Sequence, residues 1–271
     1  ISDFPNHPFK VKQDDAMAEM VESVRKYGVL VPALVRPKEN GGYEMVAGHR
    51  RKFAAALAEL TEIPCIVRNL SDDEATIIMV DSNLQRETIL PSEKAFAYKM
   101  KLEAMKRQAG RPSKENVSQV GTQKRSDQIM AEELGESRNQ IQRYIRLTEL
   151  APELQEMVDN KKIAFTPAVE LSYLSESEQQ LLLDAMDSEQ ATPSLSQAQR
   201  LKQFSQRGEL TAEVMRAIMS EEKKPEIDRI TITGDRLRKY FPRSYTPKQM
   251  EETIIKLLEQ WQKRRKRKAE R

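Results

Sequence analysis

The chain has 271 residues, 38% hydrophobic and 32% charged, enough for about two domains with modest cores and a heavily solvated surface. Lysine and arginine number 45 against 42 acids, a net +3 too small to mark a nucleic-acid binder, and one cysteine, Cys65, with two histidines, His7 and His49, excludes a disulfide framework and a Cys-based zinc site within one chain. No apolar run approaches the ~18 residues that span a bilayer and no signal peptide is apparent, so a soluble, cytoplasmic protein without a membrane partner is expected.

The first ninety residues read as a small α/β or α+β domain. A helical pattern over residues 16–27 is closed by Gly28. Extended runs follow at 29–36, 43–47 and 63–67, and Asn40-Gly41-Gly42 predicts a hairpin between the first two. A second helix is predicted over 49–60. From Pro91-Ser92-Glu93 onward the pattern is almost wholly helical, beginning with a helix through Met105. A polar stretch at 110–124 reads as a loop. Helices are predicted at 126–134 and 137–147, joined by a tight turn at Gly135, then at 152–160, 167–174, 176–187, 194–206 and 211–222. Lys223-Lys224-Pro225 reads as a linker. A last unit holds a predicted strand at 227–233, a short helix at 235–241 and a long helix opened by Thr246-Pro247. The expected architecture is therefore multidomain and mostly α: a small α/β domain over 1–90, an all-α domain over 91–224, and a small strand-helix segment over 225–271.

Three constellations carry chemistry. In the first, residues 126–147, Ile129, Ala131 and Leu134 are expected to pack one helix, and Ile141, Ile145 and Leu147 the next. The second helix is left with a polar face of Ser137, Arg138, Asn139, Gln140, Gln142 and Arg143, types suited to base edges and phosphates, as a helix-turn-helix requires. An ordinary helical hairpin would carry a polar face as well. In the second, Gly48-His49-Arg50-Arg51, a glycine turn opens a helix with two arginines, and free backbone N–H groups with adjacent positive charge favour an anion. Solvated arginines at an α/β turn would look the same. The third, Asp81-Ser82-Asn83-Leu84-Gln85-Arg86-Glu87, is a polar turn before a helix.

In this order and spacing, the segments resemble the ParB partition-protein family over nearly the whole chain. Asn6-His7-Pro8 and the run from Val21 to Arg36 are similar to its opening unit, Gly48-His49-Arg50-Arg51 to its Gly-x-Arg-Arg motif, and Ser82-Asn83-Leu84-Gln85-Arg86 to its Glu-Asn-x-Gln-Arg motif. The resemblance implies a homodimeric, nucleoid-associated clamp on double-stranded DNA that recognises a palindromic centromere-like site, binds CTP with Mg2+ in its amino-terminal domain, and works beside a ParA-type ATPase. Carried over, Gly48, His49, Arg50 and Arg51 hold the triphosphate, and Asn83, Gln85 and Arg86 complete the pocket. The chain departs from the family at His49, where Glu is usual, at Ser82, where an acid associated with hydrolysis is usual, and at Asn6-His7-Pro8-Phe9-Lys10, which lacks the usual Gln-Pro-Arg. CTP binding is thus implied, hydrolysis is left open, and no catalytic residue or protein-held metal is assigned.

In the last helix, Met250, Ile254, Leu257, Leu258 and Trp261 form one apolar stripe, which the resemblance makes a dimerisation surface. Lys263, Arg264, Arg265, Lys266, Arg267 and Lys268 then form an electrostatic tail for phosphates. Two other functions share these features: a helix-turn-helix transcription regulator without a clamp, and a nuclease on the ParB-type fold. For a nuclease, Asp72, Asp73, Glu74 and Asp81 are the nearest candidate acids.

Overall fold

The computed structural model describes all residues except Lys12, Glu87, 110–124, 222–236, Arg238, Arg243, Glu270 and Arg271, and only the backbone of Pro247 and 263–269. Its contacts divide it into two units, Ile1–Glu221 and Glu222–Arg271. The expected loop at 110–124, linker at 223–225 and strand at 227–233, with residues 235, 236 and 238 of the short helix at 235–241, lie outside the described residues.

In the first unit, Asp14 caps helix α1 (Asp15–Tyr27) by accepting from the Met17 N–H, and Gly28 ends it at a φ of 71°. Strands β1 (Ala33–Pro37) and β2 (Tyr43–Ala47) form the predicted hairpin, with Val35 opposite Met45 and Arg36 opposite Glu44. Strand β3 (Cys65–Val67) lies parallel to β1, so the sheet order is β2-β1-β3. The first strand begins later than the sequence suggests. Leu30 and Val31 are exposed, and the ladder starts only where Ala33 meets Cys65. Short apolar segments become strands where a neighbouring strand offers backbone hydrogen bonds, and the ladders reach only back to Ala33.

Helix α2 (His49–Leu57) follows β2 and packs on α1. Helix α3 (Asp72–Leu84) starts with a capping box between Ser71 and Glu74. It packs against the longer α4 (Pro91–Gln108), burying Ala75, Met79, Val80 and Ala97 with Val46, Phe4 and Phe9. The expected domain change at residue 90 thus falls between two helices in direct contact.

Helices α5 (Ser126–Leu134) and α6 (Arg138–Arg146) are joined through Gly135, at a φ of 64°. Both dock on α4, where Met130 and Ile141 are buried with Tyr98 and Leu102. Here the packing expectation needs correction: Met130, not Ile129, is the buried residue of α5, and Ile129 faces outward. The aliphatic residue that points at α4 wins, and a one-residue shift turns a helix by about 100°. A short 3-10 turn (Leu147–Glu149) leads into α7 (Pro152–Asp159), α8 (Phe165–Leu171), α9 (Glu176–Glu189), α10 (Leu195–Arg207) and α11 (Ala212–Met219). These share one core containing Leu147, Leu154, Leu171, Leu182, Leu201 and Met215.

In the second unit the described element is α12 (Pro247–Ala269). Met250 is buried, Ile254 half-buried, and Leu257, Leu258 and Trp261 are exposed. Among the described residues no helix is long and apolar enough to cross a membrane.

Candidate nucleic-acid interface and anion site

Helix α6 is anchored chiefly on α4, through Ile141. Ile141 is fully buried, so the opposite face is free to carry polar groups. Ser137 caps the helix, its hydroxyl accepting from the Gln140 N–H at 3.1 Å. Arg138, Asn139 and Gln142 are exposed, while Gln140 and Arg143 are half-buried. Arg138 is tied to Asp127 of α5, which bridges the two helices of the hairpin. Arg143 donates to Thr166 at 2.9 Å and stacks over Phe165 at 5.0 Å, linking α6 to α8. One turn on, Arg146 donates to the Ser172 carbonyl at 2.7 Å and lies 4.3 Å from the Tyr173 ring, which Lys202 covers at 3.6 Å. The predicted face therefore divides: Asn139 and Gln142 are free of tertiary structure, whereas Arg143 is held in place by α8. Arg146 extends the positive side of α6 beyond what the helix-turn-helix pattern alone suggests, while Lys202 is ion-paired with Glu170 at 2.8 Å.

At the other constellation, α2 starts without a side-chain cap and without an acid in its first turn. Gly48, the residue before it, has a φ of 114°, and a Cβ there would lie 2.8 Å from the Ala33 Cβ. Only glycine brings strand and helix this close. The unpaired N–H groups of the first turn and the helix dipole suit an anion. Arg50 is 3.7 Å from Asp14, a loose pair. Arg51 instead turns back to the carbonyls of Val31 and Pro32, at 2.7 and 2.6 Å, and so braces the segment ahead of β1.

His49 is buried against His7, their ring centroids 4.0 Å apart. Burial first, then the neighbouring His7, pushes His49 down to about 4, and burial also lowers His7. Arg86 lies 5.4 Å from the Phe9 ring, and burial lowers its value, with Arg50 close enough to add repulsion. Gln85 is exposed. Asn83 is buried and donates to the Met79 carbonyl at 2.8 Å, and Ser82 donates to the same carbonyl at 2.9 Å. The structure thus brings His49 and Arg86 into one neighbourhood with His7, and engages Ser82 and Asn83 with their own helix.

The acids considered for a nuclease are dispersed. Asp72 pairs with Arg36, Asp73 with Arg107, Glu74 with Ser71 and Asp81 with Lys101. Among the described residues no three His, Cys, Asp or Glu side chains are grouped to hold a metal.

Sequence reading missed two features. His7 stood out only as a departure from a motif, and nothing local says that it meets His49. Lys101 of α4 is buried and bonded to Asp81 of α3 at 2.7 Å and Glu133 of α5 at 2.9 Å. Its signal was available: it interrupts the apolar spacing Tyr98, Leu102, Met105 on a helix.

Residues 1–84 match the family model of the ParB N-terminal domain, and residues 118–198 that of the ParB HTH domain. The chain is 34% identical over 182 residues to a nucleoid occlusion protein of Listeria monocytogenes serotype 4a, covering 66% of this chain and 57% of that one. It is 34% identical over 159 residues to the chromosome-partitioning protein Spo0J of Thermus thermophilus, covering 59% and 52%. The chain thus matches little more than half the length of these relatives. Among solved structures, a C-terminally truncated ParB from Caulobacter crescentus complexed to the centromeric parS site aligns at a TM-score of 0.42 and 23% identity, over 80% of this chain and 94% of that one.

Proposed function

The chain belongs to the ParB family, and from that premise we propose that it is a sequence-specific DNA-binding partition protein acting as a dimer on a palindromic, centromere-like site. The observation that carries the reading is α6, held by buried Ile141 and capped by Ser137, with Asn139 and Gln142 exposed at and near its start. That is the part of a recognition helix that reaches base edges, while Arg143 and Arg146 suit phosphates.

We further propose that the amino-terminal unit binds CTP and that this closes two protomers as a clamp on DNA. Support comes from the uncapped first turn of α2, the glycine at 48, and the nearby Arg50 and Arg86. When bound, the nucleotide supplies a polyanion to this turn. No donor cluster for Mg2+ is present among the described residues, so the ion would be held chiefly by phosphates and water. Exposed α12 residues Leu257, Leu258 and Trp261 suit the dimer contact, and a ParA-type ATPase is the expected partner.

The decisive experiment is crosslinking of engineered cysteine pairs in the amino-terminal unit, with and without CTP and candidate DNA. Crosslinking that rises with CTP and cognate DNA supports the clamp. DNA binding without any response to CTP would leave a simple regulator.

A further inference from the structure

A cavity of about 320 Å3 opens beside the first turn of α2, walled by Phe9 and Phe53 and carrying Asp3, His7, His49 and Lys52. In it the two imidazoles lie 4.0 Å apart with their planes tilted by 46°. His49 is 8% exposed. The Nε2 atoms of both rings are buried and have no hydrogen-bond partner. Buried polar atoms are normally paired, so two orphans on residues that line one cavity call for a ligand.

The tautomer of one ring follows from its partner. His7 Nδ1 lies 2.8 Å from the Phe9 carbonyl, which can only accept, so Nδ1 carries the hydrogen. In the neutral ring, Nε2 is then a bare lone pair. Burial favours that neutral state, and the nearby acids are already engaged. Lys52 and Asp3 satisfy each other at 2.7 Å, and Glu93 already accepts from the Lys10 and Leu90 N–H groups. Arg86 adds positive charge that bears on both rings.

We propose that His7 and His49 bind an outer phosphoryl oxygen of the nucleotide polyphosphate, and that the pair takes up one proton from solvent as it does so. This rests on reading the first turn of α2 as the triphosphate site. A bare Nε2 lone pair repels an anionic oxygen. One proton added there makes a charge-assisted N–H to oxygen bond instead. The count stops at one because two charged imidazoles at this separation repel each other. The incoming polyanion also supplies a counter-charge that offsets the burial holding the pair neutral.

The test is calorimetry of the full chain with CTP and Mg2+ at pH 7.5, in buffers of different ionisation enthalpy. Uptake approaching one proton is expected, with affinity rising by up to about tenfold for each pH unit lowered. His7→Gln and His49→Gln should each abolish the uptake and flatten the pH profile. Nitrogen-15 spectra of the wild-type imidazoles, with and without CTP, read the Nε2 proton directly and need no variant to fold. CTP binding with no proton uptake and unchanged imidazole signals overturns this inference alone. No CTP binding by the wild type overturns the nucleotide reading, and this inference with it.

Discussion

Two residues at the start of α2 make opposite demands on the fold. Gly48 meets a purely steric one: its φ of 114° and the 2.8 Å approach to Ala33 leave no room for a side chain. Gly48→Ala should cost on the order of 1–3 kcal/mol in urea unfolding. Gly208→Ala, at a φ of 72° with open space around it, should cost about 1 kcal/mol. Equal losses would mean that the contact with Ala33 does not matter. His49 meets an electrostatic demand. Burial lowers it from 6.5 to about 4, so between those values the unfolded chain binds a proton that the folded chain does not. Stability therefore rises with pH across that window, is fully present above 6.5, and is lost as pH falls towards 4, by about 3 kcal/mol from this group. Denaturation at pH 7.5 and at 4.5 checks it: the difference between the two should be smaller in His49→Gln than in the wild type.

At the scale of elements, α6 separates packing from recognition within a few residues. Ile141→Ala removes a wholly buried side chain and should destabilise the protein by about 2–5 kcal/mol, seen as a lower urea midpoint. Asn139→Ala, exposed, should leave the midpoint unchanged and weaken binding to a cognate duplex by about 1–3 kcal/mol, read by fluorescence anisotropy. A loss of stability in Asn139→Ala would place that residue in the packing instead. Lys101 joins three helices, with Asp81 on α3 and Glu133 on α5 both half exposed. Because water still reaches the two acids, Lys101→Met should cost about 1–2 kcal/mol, well short of the penalty for an uncompensated charge in a dry interior. Urea unfolding of Lys101→Met, alone and combined with Glu133→Gln, measures how much of that loss comes from the ion pairs.

At the scale of the whole molecule, the two units set different tests. The first unit, Ile1–Glu221, has cores of its own, so disturbing α12 should leave it folded. If Leu257, Leu258 and Trp261 are covered by a second chain, the double change Ile254→Glu and Leu258→Glu should give a folded monomer by light scattering. It should also lose tight binding to a palindromic duplex, since two half-sites no longer act through one tethered pair. A variant that stays dimeric without DNA or nucleotide would move the contact away from α12. Neutralising the basic residues from Lys263 to Lys268 should lower affinity for any duplex and make its salt dependence shallower.

The helices and their ends were written locally, because caps, positive-φ glycines and 3.6-residue spacing act within a few residues of chain. Gly135, and Ser137 with Ile141, needed no distant partner to be read. The same holds for the hairpin at Gly41-Gly42 and the glycine before α2. Residues 81–84, by contrast, expected in a polar turn, end the helix Asp72–Leu84. Tertiary structure alone decided the late start of β1, because a strand exists where a neighbour offers hydrogen bonds, and the choice of Met130 over Ile129, because a helix buries whichever face its partner meets. It alone also paired His7 with His49 and Lys101 with Glu133, across 42 and 32 positions. Contacts between residues so far apart depend on how whole elements dock, and no local spacing encodes that.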